Sequence, residues 1–407
     1  MAGKTKQQSE RKSERFQNWL TSVKSRRLKL LDSLTELQEL VQQMFRETEH
    51  EQRLRFLDQA TKKFLDSCYP ELSQVEQIKL HLWKGHSYEI FGAWQKALTA
   101  YERVVKLSDS DDFQACKAEA YRWIGHIHLM QNNWTDAFKS YEESLKLSRE
   151  CGDEKNEANA YNGIACYYFE QASLNNAKIF WEKALELAEK MNDARLIAQM
   201  NNNLGAVANV MGLWEQALAH YSESLPRFEK IGDHRGLAET CHNMAMTYTD
   251  AERWAEAGAQ YERSYQLAKE IGDVRLQATV KLNRVELYTH IGDFRLAEVL
   301  CQQALQTFLN LEDRLGEADV YKWFGVILSE NRDWAAAKSH FEKSIGITRK
   351  FKNALCEAEC QFEYGRMWKL KGKEKSARKH LQLALDLFSQ LNAEKEIIKV
   401  RKELAEL

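Results

Sequence analysis

The chain has 407 residues but only two prolines, Pro70 and Pro226, and 18 glycines; an average chain of this length holds ~20 and ~28. So few turn formers exclude a β-sandwich, a barrel or a Gly-rich nucleotide fold, and 44% hydrophobic residues with 11% aromatics exclude a disordered chain. The net charge of −2 hides basic ends around an acidic middle: residues 1–30 carry nine Lys/Arg against two Asp/Glu, and residues 366–407 eleven against six. In chain order, residues 1–14 read as a basic disordered tail. A long amphipathic helix follows from about Arg15 to Glu47, with Phe16, Trp19, Leu20, Val23, Leu30, Leu34, Leu37, Val41 and Met44 on one face. A second helix, about Glu51 to Cys68, carries Leu54, Leu57, Phe64 and Leu65. Residues 15–74 are thus N-terminal helices, either a degenerate repeat or a separate cap.

Residues 75–393 repeat with a period of 40. Ala97, Ala137, Ala177, Ala217, Ala257, Ala297, Ala337 and Ala377 form one column, and Ala118, Ala158, Ala198, Ala238, Ala278, Ala318 and Ala358 a second. Gly85, Gly125, Gly205, Gly325 and Gly365 stand twelve residues before members of the first column. Tyr101, Tyr141, Trp181, Tyr221, Tyr261 and Phe341 stand four after. The apolar spacing within a unit is helical, with a short polar break at its middle and a longer one at its end. Gly152-Asp153, Gly232-Asp233 and Gly272-Asp273 predict a left-handed glycine stop followed by an aspartate cap. Each unit is therefore two antiparallel helices, brought close by the small-residue columns. Pro226 falls inside a second helix and predicts a local bend. Residues 394–407 form a lone helix that would cover the open edge of the last repeat.

These columns resemble the tetratricopeptide repeat family, in a 40-residue Gly-Asp-turn variant similar to kinesin light chain, Pins-type adaptors and bacterial Rap-type regulators. The stretch Asn201-Asn202-Asn203-Leu204-Gly205 is similar to the Asn-Asn-Leu motif of kinesin light chain. The resemblance implies an all-α, right-handed solenoid of about eight repeats, whose first helices line a concave groove for peptides. On that face stand Arg122, His126, Asn159, Asn162, Gln199, Asn202, Asn203, Asn209, Glu239, His242, Asn243, Asn283 and Lys322. A carboxamide donates and accepts, so it can bridge the C=O and N–H of an extended peptide. Asn203, Asn243 and Asn283 can equally bond neighbouring helices, and both readings stay open. The acidic residues Glu119, Glu239, Glu286, Asp319 and Glu359 suggest a ligand with some basic character. No repeat pairs a Lys at the position equivalent to Leu82 with an Asn at the position equivalent to His86, 40 residues per step, which speaks against a chaperone-tail carboxylate clamp.

No GxxxxGK[ST], GxGxxG, HExxH or GxSxG occurs, so no catalytic residue, cofactor or enzyme activity is expected. His86, His126 and Cys166 share an inner column, but helices ~10 Å apart should not bring them together, and no metal is expected. The eight cysteines include no CxxC pair and suit a reducing cytoplasm. Met1 to Lys12 is charged and no apolar run follows, so neither a secretory leader nor a membrane span is expected. The expected function is a non-catalytic scaffold or adaptor that binds a protein or peptide partner. A second reading is a partner-responsive regulator with the N-terminal helices as effector surface. A weaker third is nucleic-acid or membrane association through the basic N-terminus, with nucleic acid not favoured; self-association stays open.

Overall fold

The computed structural model describes residues 14–23, 30–44, 50–68, 71–90, 92–311, 313–391 and 393–407. The basic tail read at 1–14 lies outside the described residues except for Glu14. Among the described residues all regular structure is helical. The chain divides into two compact units, Met1–Tyr167 and Tyr168–Leu407.

The first unit opens with α1 (14–23), α2 (Leu30–Met44) and α3 (His50–Cys68). The single helix expected from Arg15 to Glu47 is described as two segments, and residues 24–29 between them lie outside the described residues. Phe16, Leu20, Val23, Leu34, Leu37, Val41, Leu57 and Phe64 bury one common core, joined by Leu80 and Trp83 of α4 (Gln74–Ile90). Then come α5 (Trp94–Leu107), α6 (Gln114–Met130), α7 (Trp134–Cys151) and most of α8 (Glu154–Glu170). In the second unit α9 (Leu174–Lys190) is followed by the pairs α10 (Ala194–Val210) and α11 (Trp214–Ile231), α12 (His234–Asp250) and α13 (Trp254–Glu270), and α14 (Val274–His290) and α15 (Phe294–Asn310). The pairs α16 (Arg314–Glu330) and α17 (Trp334–Lys350), and α18 (Ala354–Leu370) and α19 (Glu374–Gln390), complete the array. The last helix, α20 (Glu394–Ala405), packs on α19. Within each unit most consecutive helices pack on one another as a solenoid does.

The turns explain the register. A left-handed residue closes nearly every helix, at Gly92, Asn132, Ala172, Gly212, Glu252, Gly292, Arg332 and Gly372 after first helices. Gly152, Asn192, Gly232, Gly272 and Lys352 do so after second helices. The next N–H reaches back to the carbonyl five residues earlier, as from Asp193 to Ala188 at 3.0 Å. Asp153, Asp193, Asp233, Asp273 and Asp313 then cap the following helix; Asp273 accepts from the Leu276 N–H at 2.9 Å. Left-handed conformation at Ala172, Glu252 and Lys352 was not legible, because only glycine and asparagine announce it.

The first alanine column lies wholly inside: every member from Ala97 to Ala377 is fully buried. Glycine serves the same purpose against the aromatic of its partner helix. A methyl built on Gly325 would lie 2.7 Å from Phe341 Cε1, and one on Gly125 2.9 Å from Tyr141. Buried serines add a crossing bond. Ser144 donates to the Ala118 carbonyl, Ser224 to Ala198 and Ser264 to Ala238, each at 2.8 Å. Helix α11 runs from Trp214 to Ile231 with Pro226 inside it.

Candidate functional site

In the second unit the inner side chains of α10, α12 and α14 are tied to one another. Asn243 donates Nδ2 to Asn202 Oδ1 at 3.1 Å, and Asn283 Nδ2 lies 3.2 Å from His242 Nε2. Each bond steps 41 residues, from one inner helix to the next. Asn209, buried at the end of α10, donates to Asp250 Oδ2 at 3.1 Å by the same step. The rest of each amide is uncommitted. Among the described residues, Asn202 Nδ2, Asn243 Oδ1 and Asn283 Oδ1 take no other hydrogen bond. Burial pushes His242 down to about 4, so its ring is neutral and accepts from Asn283.

Further along, Lys322 is buried and donates to Glu359 at 2.6 Å, with Asp319 at 3.3 Å. Burial alone would lower the Lys322 ammonium, but the two carboxylates outweigh it and hold it well above its ordinary value. Glu286 is half-buried, and burial raises it to about 7 against the opposing pull of Lys322. The charges of Asp250 on α12 and Glu286 on α14 also reach Lys399 of α20.

In the first unit the corresponding face is aromatic. Arg122 lies 4.0 Å over the Trp123 ring, and His86 and His126 flank that ring at 4.6 and 5.9 Å. Tyr101 donates to Glu89 Oε2 at 2.9 Å and contacts His86 Nδ1 at 3.3 Å. Burial, with the Arg122 charge, pushes His86 down to about 4 and lowers His126 as well.

The remaining expected residues are accounted for singly. Asn159 donates to the Lys155 carbonyl of its own helix, and Glu239 accepts from Arg235. Gln199 is exposed. Asn162 Oδ1 faces Cys166 Sγ at 4.0 Å, and Asn203 is half-buried. Lys322 pairs with both Glu359 and Asp319, so one cation offsets part of the acidic track expected there. Among the described residues no group of three His, Cys, Asp or Glu could hold a metal, and His86 and His126 each contact the Trp123 ring. All eight cysteines are free. Among the described residues no helix is long and apolar enough to cross a membrane. Asp250, Glu89 and Tyr101 were missed; the 41-residue offset from Asn209 would have pointed to Asp250.

Residues 116–190 and 196–270 of this paired-helix array match the family model described as Tetratricopeptide repeat. Aspartyl phosphate phosphatase F from Bacillus subtilis is similar in structure, with TM-score 0.60 and 9% identity, over 88% of this chain and 95% of that one. A Rap protein complexed with competence and sporulation factor gives TM-score 0.57 and 13% identity, over 92% of this chain and 99% of that one. The quorum sensor NprR in complex with its cognate peptide NprX gives 0.54 and 14%, over 80% and 98%. Likeness at these identities is likeness of fold. No curated protein matches the chain.

Proposed function

We propose that this chain is a non-catalytic binding protein that holds an extended peptide segment along its inner helices. The observation that carries the reading is the amide ladder of α10, α12 and α14. Asn202, Asn243 and Asn283 are each held by one hydrogen bond and each keep donor or acceptor capacity for a peptide unit. Side chains locked before binding lose little entropy on binding, which favours affinity. The fold supports the same reading, since a Rap conjugation gene regulator and NprR, similar in structure, are described in complex with the Phr* peptide and with a cognate peptide. The free cysteines fit a reducing cytoplasm. The test is to pan a displayed 12-residue library on the full chain. Enriched peptides should bind N202A/N243A at least about tenfold more weakly, with an unchanged helical spectrum. No enrichment, or unchanged affinity in the double variant, defeats the reading.

A second reading, a peptide-responsive regulator, is favoured by one observation. Helices α1–α3 bury their own apolar core against α4, so the N-terminal helices form a distinct body of side chains. In this reading ligation biases how that body meets an effector. Hydrogen exchange in α2 and α3 should change when a selected peptide binds the full chain. Exchange there that is insensitive to the peptide would leave only the binding module.

A further inference from the structure

The pair α4 and α5 is filled differently from the later pairs. Where α16 meets α17, His340 packs 5.6 Å from the Tyr321 ring and 5.2 Å from that of Phe324. The same positions one repeat on hold Gln361, Tyr364 and His380. There His380 Nδ1 lies 2.7 Å from Gln361 Oε1, and its ring 4.2 Å from that of Tyr364. In α4 and α5 these positions are His81, Lys84 and Ala100. Ala100 is too small to fill the space that His340 and His380 take. His81 Nδ1 is buried without a partner, and a cavity of about 550 Å³ opens against all three residues. Lys84 is half-buried and stands where other repeats place Ile124, Ile164 or Leu204. Arg284 is the other cation at this position, and it pairs with Glu262 at 2.9 Å. Among the described residues Lys84 has no ion pair.

The cavity is cationic. Lys84 lines it with Lys96, Arg103 and Lys106 of α5, against the single carboxylate of Glu102. Lys96 is committed to Asp58 at 2.9 Å. Lys84, Arg103 and Lys106 are left without an acidic partner among the described residues. Burial, with the Lys84 and Arg103 charges, pushes His81 down to about 4, so its ring adds no further charge. We propose that this cavity is a site for a phosphate monoester, with the half-buried Lys84 as its inner cation and the exposed Arg103 and Lys106 as its outer ones. A phosphate monoester brings nearly two charges and three acceptor oxygens, which matches three free cations better than a carboxylate does. The volume suits a small ligand or a single modified side chain. The site is independent of the peptide reading, because Arg122 and His126 of the peptide face correspond in α4 to Leu82 and His86, which do not line the cavity.

The experiment follows the histidine ring signals of the ¹⁵N-labelled full chain at pH 7.5 and constant ionic strength, with His81 identified by its loss in H81Y. Three probes are titrated: glycerol 3-phosphate, a small phosphate ester; N-acetyl-O-phosphoserine amide, a phosphorylated side chain; and acetate, a carboxylate alone. The His81 signal should move saturably with at least one ester, and acetate should bind that site at least about tenfold more weakly. The tighter ester identifies the source of the phosphate. K84I restores the side chain of Ile124 and Ile164, so it should raise the urea midpoint while weakening the ester at least about tenfold. A100H supplies the ring that His340 and His380 place in this space and should abolish the shift. A His81 signal that ignores both esters, or acetate that binds as tightly as they do, overturns the site. So does a K84I chain that binds the ester like wild type, and K84I decides the matter should A100H fail to fold.

Discussion

Asn243 hands a hydrogen to Asn202 across 3.1 Å, and the two residues lie 41 apart in a chain that repeats every 40. The bond therefore runs one column sideways as it steps from α10 to α12. The same diagonal joins His242 to Asn283 and Asn209 to Asp250. Inner polar side chains in the second unit are positioned by their neighbours one helix on, which a loose surface asparagine would not be.

The rungs should differ in their worth. Asn202 and Asn243 are both half-buried, so water can replace the lost partner in N202A, and the cost should be about 1 kcal/mol or less. Asn283 instead satisfies the Nε2 of a buried histidine whose Nδ1 is already unpartnered. N283A strands that ring and should cost about 1–3 kcal/mol. Urea midpoints of the two variants compare them directly; equal midpoints would show that the His242 bond carries no special weight.

Backbone conformation gives an opposed pair. G325A places a methyl 2.7 Å from Phe341 Cε1 in a packed core and should destabilise by about 1–3 kcal/mol. A172G relieves a left-handed alanine, φ 54°, and should stabilise by about 1 kcal/mol. Thermal melts of both variants should shift in opposite directions.

Much of the fold was legible because the same physical demand recurs at every unit. Ala97 and its column mark where backbones touch, and Gly325 marks where Phe341 needs room. Asp273 is readable as a cap because its side chain acts three residues away. The site was legible only in part. Asn202 and Asn243 were recognisable as inner residues, but their bond depends on helix spacing and rotation, which no single-column reading contains. Arg122 and Glu89 sit on different helices, and whether such charges pair or stay apart is a matter of a few ångströms that the spacing does not encode.

Acid should loosen the fold through its histidines. Burial is the leading cause that places His81, His86, His242 and His380 at about 4, below the ordinary 6.5. A base whose folded value is depressed binds fewer protons folded than unfolded, so stability falls as pH drops from 6.5 toward 4. Glu89 and Glu286, raised to about 7, act the other way over about 4.5–7, because their folded state holds the extra proton. Four histidines against two glutamates leave a net loss toward acid. H242Q keeps an acceptor for Asn283 without a titrating ring and should flatten the pH dependence of the melting temperature. An unchanged slope would remove His242 as a contributor.

The last helix should be needed for the second unit's integrity and charge balance at once. Val400 and Ile397 of α20 bury against Leu381, Ala384 and Phe388. Lys369 of α18 donates to Glu403 at 2.7 Å and Glu406 at 2.8 Å. The two anchors should be unequal. V400D places a carboxylate in a fully buried position and should cost about 3 kcal/mol or more, releasing α20 and exposing the α19 face. E403Q removes one charge from a solvent-accessible cluster and should cost less than about 1 kcal/mol. Hydrogen exchange localises the effect: V400D should deprotect α19 and α20 while leaving α10–α12 near wild type. Uniform deprotection across the second unit would mean that the repeats unfold as one, and that α20 supports the whole array.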